Sequence, residues 1–401
     1  MNFNPLKVFF VKFLFCFFNS VLSVVRKILF FARGLPESIS NILIYRIGNI
    51  GDIICAIPAM ISVREHFPNA HITLLTSPLG KKMPGAKELL QGADFLDEMI
   101  IYYHDEVESW RGVLSLVKSL RKNRYDLFIE LPNDLATLRI FIRDMIFARA
   151  IGCKDALGFK INTLPIFLRQ QAKHLQFNRE VERLLSILAK ERFTTNGITF
   201  RLPIRKEDIL VIDRLFEEYK VNQGDFCISI NPGAKRPSNR WPKERFVTVA
   251  KALRECYDAR ILITGGLGDV ELVQWIAGQI GDSAIPVAGK TTLLQSAELL
   301  RRCELLITND TGTMHLAAAM ETPLVAIFSA RDFPGKWYPY GSENIILRKS
   351  VSCELCYKFS CSMLDCLKAI SVEEVLQAVD SIFKRSKQKD ESFPCAVSAV
   401  N

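Results

Sequence analysis

The sequence predicts an α/β protein built on parallel, doubly wound sheets. Short apolar runs rich in β-branched residues recur along the chain, and several are followed by a glycine-containing loop and then by a helical pattern. This alternation fades over residues 160–223, where we expect helices and a connecting strand, and it begins again at residue 226. Two rounds of the pattern predict two Rossmann-like domains with a cleft between them, and ligands bind such sheets beyond the carboxyl ends of the strands.

The length and composition of the chain are those of a folded protein with two domains. At 401 residues the chain is too long to fold around one small core. Of these residues 49% are hydrophobic and 24% are charged. The formal charge of +9 favours negatively charged partners such as nucleotides, phosphorylated glycans, anionic lipid or nucleic acid. The sequence has no stripe of aromatic and basic residues and no known nucleic-acid motif, so we expect no nucleic-acid partner.

The first segment, residues 1–36, is apolar and rich in phenylalanine, and it is interrupted by basic residues, namely Lys7, Lys12, Arg26, Lys27 and Arg33. A membrane-spanning helix needs about 20 apolar residues, and the stretch between Lys12 and Arg26 contains an asparagine and two serines. A helix in the membrane interface fits at least as well. A signal peptide is disfavoured because no small-residue cleavage site follows, and a buried helix of the fold is the alternative. We expect a membrane-associating helix with a hinge at residues 34–36.

The first domain is predicted over residues 37–222, with strands at 42–45, 71–76 and 126–131. The second domain is predicted over residues 223–350, with strands at 226–230, 260–264, 304–308 and 324–328. A cysteine-rich segment that closes with an amphipathic helix follows over residues 351–385. The remaining residues, 386–401, are polar and predicted to be disordered.

The loop after the first strand places two glycines just before a carboxylate, in the run Arg46-Ile47-Gly48-Asn49-Ile50-Gly51-Asp52. Glycines let the backbone approach a ligand closely, and the start of the following helix presents free N–H groups. Asp52 is therefore either a helix cap or a general base that the helix dipole keeps ionised.

A second loop follows the strand at 304–308 and reads Asn309-Asp310-Thr311-Gly312-Thr313-Met314-His315. Consecutive amides and hydroxyls at a helix start form an anion site suited to a diphosphate. His315 lies four residues after Thr311, on the same helical face, and is placed to reach the same anion. The alternative is a simple capped helix, with Thr311 or Asp310 as its cap.

A third loop, residues 231–242, is polar and basic. Lys235, Arg236 and Arg240 are candidates to bind phosphates, and an exposed basic loop is the alternative. The glycine-rich loop at 265–268 is a weak signal by itself. Glu271 just beyond it either accepts hydrogen bonds from ribose hydroxyls or caps its helix.

Three segments, taken in order, resemble the heptosyltransferases of glycosyltransferase family 9. They are ILIYRIGNIGDIICAIPAMISVREHFPNAHITLLTSP, ISINPGAKRPSNRWPKERF and LLITNDTGTMHLAAAMETPLVAIF. The likeness covers roughly residues 41–385, and the late motif joined to the early GD-x5-PA pattern is specific. The resemblance implies a GT-B fold, with two Rossmann-like domains facing each other across a cleft. It also implies transfer of heptose from an ADP-linked donor, with inversion, onto a lipopolysaccharide core or another cell-surface glycan, and no cofactor for catalysis.

The resemblance also assigns roles to individual residues. Asp52 would be the base that deprotonates the acceptor hydroxyl, within an acceptor-side loop formed by Gly48, Asn49 and Gly51. Donor binding would fall to Asp310 at the sugar and to residues near the diphosphate, which are Thr311, Gly312, Thr313, His315, Arg240, Lys235 and Glu271. The partners that it implies are a nucleotide-diphosphate sugar and a glycolipid or glycan acceptor. The apolar, basic N-terminal segment, which the family's lipopolysaccharide-core enzymes usually lack, adds the inner face of the cytoplasmic membrane as an expected partner.

Four of the eleven cysteines, Cys353, Cys356, Cys361 and Cys366, lie within fourteen residues. Together with the absence of a cleavable secretion signal, this spacing favours a reducing cytoplasm over a secreted disulfide framework. Four thiolates suit a structural Zn²⁺ or Fe site, and some relatives of the family carry a four-cysteine iron site. Reduced free thiols and, less favoured, disulfides are the alternatives. We expect no catalytic role, because the cluster lies outside the donor loops.

Two other functions fit parts of the pattern. A nucleotide-sugar epimerase on a similar fold needs no acceptor, which leaves Asp52 without a partner hydroxyl. A catalytically silent, membrane-anchored glycan-binding module would not need both Asp52 and Asp310, so the sequence favours the transferase.

Overall fold

The structure is a computed structural model of the chain, and it describes residues 5–31, 39–78, 80, 84–133, 136–161, 177–191, 193 and 197–387. The chain divides into two compact units, Met1–Pro203 and Ile204–Asn401. The predicted hinge at 34–36 lies outside the described residues, as does the predicted disordered tail from residue 388 onward.

The first unit is a five-stranded parallel sheet with helices between its strands. In chain order its elements are α1 (Pro5–Phe30), β1 (Asn41–Tyr45), α2 (Ile50–His66), β2 (His71–Thr76), α3 (Ala86–Leu90), β3 (Glu98–Ile101), α4 (Trp110–Arg121), β4 (Leu127–Glu130), α5 (Leu138–Ala150), β5 (Asp155–Leu157) and α6 (Glu180–Ala189). The strand order is β3-β2-β1-β4-β5, with every pair parallel. Strands are added to one side of β1 up to β3 and then to its other side from β4 onward. The switch point therefore lies between β1 and β4, and doubly wound sheets bind ligands at such a point.

The second unit has a six-stranded parallel sheet of the same kind. Its elements are α7 (Lys206–Glu218), β6 (Cys227–Asn231), α8 (Lys243–Tyr257), β7 (Arg260–Ile263), α9 (Val270–Ile280), β8 (Ala284–Pro286), α10 (Leu293–Arg301), β9 (Leu305–Asn309), α11 (Gly312–Ala319), β10 (Leu324–Phe328), β11 (Ile345–Arg348), α12 (Asp365–Lys368) and α13 (Val372–Lys387). The order β11-β10-β9-β6-β7-β8 places the switch point between β6 and β9.

The seven predicted strands are all present within two residues of their predicted ends, because they are buried on both faces and read as continuous apolar runs. The strands that the sequence did not reveal are β3, β5, β8 and β11. Each is three or four residues long and lies at an edge of its sheet. The connecting strand expected within residues 160–223 does not occur among the described residues of that stretch, which contain α6 and α7 instead.

The predicted domain boundary at residue 222 differs from the division of the structure at residues 203 and 204. Helix α7 belongs to the second unit, because its Ile212 and Leu215 share a buried core with Leu262 and Leu299. The 3.6-residue apolar period of α7 shows that the helix has a buried face, but it does not show which sheet that face covers.

Helix α1 packs on the first unit. Leu22 and Phe30 are buried in the core that also contains residues of α5. The Asn19 side chain bonds both the amide and the carbonyl of Ile161, at 3.1 and 3.2 Å. Arg26 donates two hydrogen bonds to the carboxylate of Asp155, at 3.1 and 2.8 Å.

The other face of α1 is exposed and apolar, and it carries Phe13, Phe17, Val24 and Ile28, with Phe31 directly after the helix. The window Phe13–Phe30 is long and apolar enough to cross a membrane by length and composition, and 11% of it is buried. The alternative of a helix buried within the fold is therefore met on one face of α1 only.

Candidate active site

The loop after β1 is held by a buried arginine that sequence reasoning did not single out. The guanidinium of Arg46 donates to the carbonyls of Leu131 and Pro132, at 3.1 and 2.9 Å, and these residues follow β4. It also donates to the Asp52 carbonyl and to the Glu180 carboxylate, each at 3.1 Å. One side chain thus joins the ends of β1 and β4 to the starts of α2 and α6.

Asp52 lies in the first turn of α2, as predicted. One carboxylate oxygen accepts a hydrogen bond from the Asn49 amide at 2.8 Å, and the other is 3.7 Å from a guanidinium nitrogen of Arg46. The side chain is 18% exposed. The helix-cap role and the base role are therefore compatible, because capping occupies one oxygen and the second lies beside a fixed positive charge at the helix N-terminus.

Gly48 and Gly51 flank Asn49, and Gly51 is already in the first turn of α2. A Cβ at position 48 would lie 2.3 Å from the Cβ of Asp52 and 2.7 Å from its carboxyl carbon. Real side chains do not approach so closely, so glycine at this position lets the Asp52 carboxylate occupy its place.

In the second unit, the loop after β9 opens helix α11. Thr311 stands at the N-cap, yet its side chain makes no capping hydrogen bond. Its hydroxyl lies 3.4 Å from that of Thr308, and the Thr313 hydroxyl accepts a bond from Asn231 at 3.3 Å. The alternative of a helix capped by the Thr311 side chain therefore does not form here.

Asp310, just before this helix, is half-buried and accepts a hydrogen bond from the Asn239 amide at 2.8 Å. Burial raises the pKa of Asp310 to about 6, and the nearby Asp332 acts in the same direction. Arg236, Arg331 and the Asn239 hydrogen bond oppose that rise. Asp310 is therefore ionised at neutral pH and titrates close to it.

Two buried asparagines join the loops of the second unit at the switch point. Asn309 donates to the Pro232 carbonyl at 2.8 Å and accepts from the Trp241 amide at 3.1 Å. Asn239 bonds Asp310 through its amide nitrogen and accepts from the Ser329 hydroxyl at 2.7 Å. The basic loop after β6 is therefore built onto the loops after β9 and β10.

Among the basic candidates, Lys235 and Arg236 are exposed and Arg240 is part-exposed. Arg240 donates to the Ala234 carbonyl at 2.9 Å and lies 3.6 Å from the carboxylate of Asp269. A Cβ at position 233 would lie 2.5 Å from an Asp269 oxygen, so a larger residue there would displace this carboxylate.

The remaining two candidates differ in their surroundings. His315 is buried on α11 and meets the ring of Trp337 edge-on, with 6.4 Å between ring centroids. Glu271 is exposed in the first turn of α9. The acid that contacts Arg240 is Asp269, two residues before Glu271. The glycine-rich pattern at residues 265–268 could not show which of these two acids lies beside the basic loop.

A group of charged residues after β10 was not among the predicted site residues. Arg331 is buried and donates to the carbonyls of Lys358 and Tyr357, at 2.9 Å each. Lys336 is buried with its ammonium 3.3 Å from Asp332. The position of Arg331 just after a buried parallel strand is the signal that would have found this group.

The four clustered cysteines are free thiols. Within the described part of the chain, no three or more His, Cys, Asp or Glu side chains are arranged to hold a metal ion. The metal site predicted at Cys353, Cys356, Cys361 and Cys366 is therefore unsupported. Burial raises the pKa of the Cys366 thiol, with smaller contributions from Cys353 and Cys356.

The cysteine segment also lies closer to the predicted donor loops than the sequence suggested. The Ser238 hydroxyl donates to the Lys358 carbonyl at 2.8 Å, and the Leu355 amide donates to the Ala330 carbonyl at 2.7 Å. The segment therefore supports the loops after β6 and β10 through its backbone.

The chain is similar in sequence to known proteins. Residues 113–367 match the model of glycosyltransferase family 9 (heptosyltransferase). The chain is 26% identical over 349 residues to lipooligosaccharide heptosyltransferase 2 of Campylobacter jejuni, covering 84% of this chain and 96% of that protein.

Solved structures show the same fold. A family 9 glycosyltransferase from Veillonella parvula superposes with a TM-score of 0.71 at 23% identity, covering 88% of this chain and 100% of that one. The ADP-heptose lipopolysaccharide heptosyltransferase II of Escherichia coli gives a TM-score of 0.61 at 19% identity, covering 87% and 99%. These likenesses confirm the predicted GT-B fold class.

Proposed function

The chain belongs to glycosyltransferase family 9, the heptosyltransferases, and on that premise we propose that it transfers heptose from an ADP-linked donor to a glycan hydroxyl, with inversion. The acceptor in this proposal is a lipopolysaccharide core or another cell-surface glycan. The observation that carries the proposal is the Asp52 carboxylate, positioned by Gly48, Asn49 and the buried Arg46.

In this mechanism Asp52 accepts the proton of the acceptor hydroxyl as that oxygen attacks the anomeric carbon. A general base must be ionised and within reach of the proton. The Asp52 carboxylate lies in the first turn of α2, with one oxygen 3.7 Å from a guanidinium nitrogen of Arg46. The hydrogen bond from the Asn49 amide fixes its orientation.

The departing diphosphate needs positive charge and hydrogen-bond donors that are already in place. The start of α11 supplies backbone amides at Gly312 and Thr313 together with the Thr311 hydroxyl, which makes no capping bond. Lys235 and Arg240 on the basic loop add positive charge. Asp310 accepts hydrogen bonds from the hydroxyls of the donor sugar, and Asn239 holds it in place.

The activity is tested by incubating purified protein with ADP-heptose and core-truncated lipopolysaccharide, and by following both ADP release and glycan product. Asp52→Asn is compared with Asp94→Asn, which changes an exposed carboxylate paired with Arg201. We expect transfer by the wild type and by Asp94→Asn, and a loss of about 100-fold or more in Asp52→Asn. Full transfer by Asp52→Asn would refute the base assignment, and no transfer by the wild type would refute the proposed reaction.

We propose further that α1 holds the enzyme on the inner face of the cytoplasmic membrane by lying in the plane of the interface. Its contacts through Asn19, Leu22 and Arg26 tie one face to the first unit. The opposite face presents large apolar side chains, and Lys27 is exposed beside them. Such a helix binds membranes by apolar burial and by attraction to anionic lipid.

Vesicle flotation tests this attachment. The double variant Phe17→Ser/Ile28→Ser alters exposed side chains of α1, and Leu210→Ser alters an exposed apolar side chain of the second unit as a matched control. We expect the double variant to lose binding to anionic vesicles while Leu210→Ser keeps it. Equal flotation of all three proteins would refute the proposal.

A further inference from the structure

The large apolar side chains that the first unit exposes belong to three of its helices. In the part of the chain that the structure describes, they all lie on α1, α4 and α5 or directly after α1. On α4 and α5 they are Trp110, Val113, Leu114 and Ile146. Exposed apolar side chains that share one side of a protein mark a surface for a partner.

The three helices form one layer on one side of the first sheet, which we call the α1–α5–α4 layer. Leu22 of α1, Phe141 of α5 and Leu120 of α4 belong to a single buried core. Helix α5 packs against both α1 and α4. The stem of Arg121 on α4 lies 3.8 Å from the point that a Cβ at Gly152, just after α5, would occupy. The outward sides of the helices are therefore parts of one continuous surface.

This surface is basic as well as apolar. Helix α4 has three basic residues and no acid, and α5 has three arginines and one acid. The acid, Asp144, is buried and paired with Arg143. The basic residues of the two helices are all exposed, and they are Arg111, Lys118, Arg121, Arg139, Arg143 and Arg149. By contrast, α2, α3 and α6 contain three basic residues and five acids. The excess of positive charge therefore belongs to the α1–α5–α4 layer.

Apolar and basic side chains share the same exposed faces of α4 and α5. On α4, Trp110 and Leu114 are 68% and 46% exposed and stand four residues apart, and Lys118 continues the same stripe. On α5, Ile146 is 54% exposed and stands three residues before Arg149. Tryptophan favours the boundary between lipid headgroups and acyl chains, and arginine and lysine bind anionic lipid.

Exposed acids occur beside this surface in the loop before α4. They are Asp105, Glu106 and Glu108, and Glu106 accepts a hydrogen bond from the Tyr103 amide at 3.0 Å. Three acids against the six exposed basic residues of α4 and α5 leave the surface with a net positive charge. Such a surface attracts an anionic bilayer.

The layer also reaches the edge of the sheet that carries the proposed base. Helices α4 and α5 begin after the carboxyl ends of β3 and β4, and Asp52 follows the carboxyl end of β1. Asn19 of α1 bonds Ile161, beyond the carboxyl end of β5. Trp110, the first residue of α4, therefore lies towards the same edge as Asp52. A bilayer on this surface would lie beside the edge at which an acceptor hydroxyl meets the base.

We propose that the whole α1–α5–α4 layer is the membrane-docking surface of the first unit, with Trp110 in the headgroup region of an anionic bilayer and the arginines of α5 bound to lipid phosphates. The inference rests on the proposed attachment through α1 and extends it to two helices that lie about 100 residues later in the chain. Contacts on three helices fix the orientation of the unit on the bilayer, whereas one helix leaves the unit free to rotate about its axis.

Flotation of the full chain with vesicles tests the apolar part of this surface. The vesicles are phosphatidylcholine alone or an equal mixture with phosphatidylglycerol. Trp110→Ser is compared with Phe359→Ser, which changes an aromatic side chain of the second unit that is 61% exposed. We expect Trp110→Ser to weaken binding to the mixed vesicles about tenfold, because a large apolar side chain leaves the interface. Phe359→Ser should bind like the wild type.

The same assay tests the basic part. Arg139→Gln/Arg149→Gln is compared with Lys206→Gln/Lys251→Gln, which removes two exposed charges from the second unit. Each basic residue near an anionic surface contributes about 1 kcal/mol, so the arginine variant should bind mixed vesicles about tenfold more weakly or less tightly still. The lysine variant should bind like the wild type. The loss should vanish on phosphatidylcholine alone and shrink at high salt.

A fluorescence measurement places Trp110 at the bilayer directly. The chain has four tryptophans, and the other three belong to the second unit. Trp110→Phe keeps an apolar ring and should still float with the vesicles. Brominated lipids should quench the wild-type fluorescence and quench Trp110→Phe much less. Equal quenching of the two proteins would overturn the proposal, and so would unchanged flotation of both Trp110→Ser and Arg139→Gln/Arg149→Gln.

The α1 variant Phe17→Ser/Ile28→Ser separates this proposal from the attachment through α1. If the α1 variant alone loses flotation, α1 attaches the protein and the wider docking surface is overturned. If the variants of α4 and α5 lose flotation while the α1 variant keeps it, the surface on α4 and α5 is supported and attachment through α1 is refuted. Thermal unfolding confirms that each variant is folded. Light scattering without lipid tests a second copy as the occupant, and a wild-type dimer that Trp110→Ser dissociates would overturn the proposal.

Discussion

Arg46 and Glu180 form an ion pair that is closed to solvent, with side chains 0% and 1% exposed and 3.1 Å between guanidinium nitrogen and carboxylate oxygen. Glu180 is shared with Arg183, whose guanidinium lies 2.7 Å away. The pair connects the loop of Asp52 to helix α6. Its integrity therefore determines both the stability of the first unit and the position of the proposed base.

Glu180→Leu is expected to destabilise the first unit by about 3–5 kcal/mol, because it leaves two buried guanidinium groups without their carboxylate. Urea unfolding followed by fluorescence measures this change. Glu182→Leu is the matched control, since its partner Arg179 is about one-third exposed and an exposed pair contributes about 0–1 kcal/mol. Equal midpoints for the two variants would contradict the structural role of the Arg46–Glu180 pair.

The Arg46–Glu180 pair also makes the free energy of unfolding depend on pH in the acid range. Burial alone would raise the pKa of Glu180, but Arg183 and Arg46 hold it below the usual carboxyl value. A carboxyl whose pKa is lowered by folding stabilises the fold above its unfolded pKa, and this stabilisation is lost as the pH falls through the folded pKa. We expect the unfolding free energy of the wild type to fall below about pH 4.5. Glu180→Gln should show a smaller fall over the same acid range.

The sequence predicted the central strands and the principal loops, but not the partners that hold those loops. Asp52 and Asp310 follow buried strands and stand out by position. Arg46 and Glu180 are separated by 134 residues, and only folding shows that they meet.

As the pH falls through about 6, protonation of Asp310 is expected to weaken donor binding and to raise the free energy of unfolding. Its pKa of about 6 exceeds the unfolded value of 3.8, so protonation stabilises the fold. This stabilisation is complete below about pH 4 and is lost as the pH rises through 6, with a total of up to about 3 kcal/mol.

Asp310→Asn is therefore expected to be more stable than the wild type at pH 7.5 and not at pH 4. It should also lose the rise in donor KM that we expect for the wild type as the pH falls below about 6. Unfolding curves at pH 4 and pH 7.5 measure the stability difference, and initial rates above and below pH 6 measure the donor KM. Equal stability differences at both pH values would argue against the raised pKa of Asp310.

Gly48→Ala is expected to impair catalysis more than stability. The added methyl group would lie 2.3 Å from the Asp52 Cβ, so either the loop or the carboxylate must move. A displacement of about 1 Å can reduce kcat by about 100-fold. Gly268→Ala is the matched control, because nothing lies within 4 Å of a Cβ at that position. Initial rates with saturating donor compare the two variants, and an active Gly48→Ala would show that Asp52 does not need its present position.

Arg26→Ala tests whether α1 is a docked part of the first unit. The substitution removes two hydrogen bonds from Asp155, which is 2% exposed and keeps only its bond from the Ala156 amide among the contacts described. Leaving a buried carboxylate without its cation costs about 3–5 kcal/mol. A local opening is the expected response, because α1 lies at the periphery while Asp155 lies in strand β5.

Amide hydrogen exchange in Arg26→Ala should then accelerate along α1 and leave the second unit unchanged. Lys27→Ala, at an exposed position on the same turn, should exchange like the wild type. If Arg26→Ala also exchanged like the wild type, α1 would be held by its apolar contacts at Leu22 and Phe30 instead of by the ion pair.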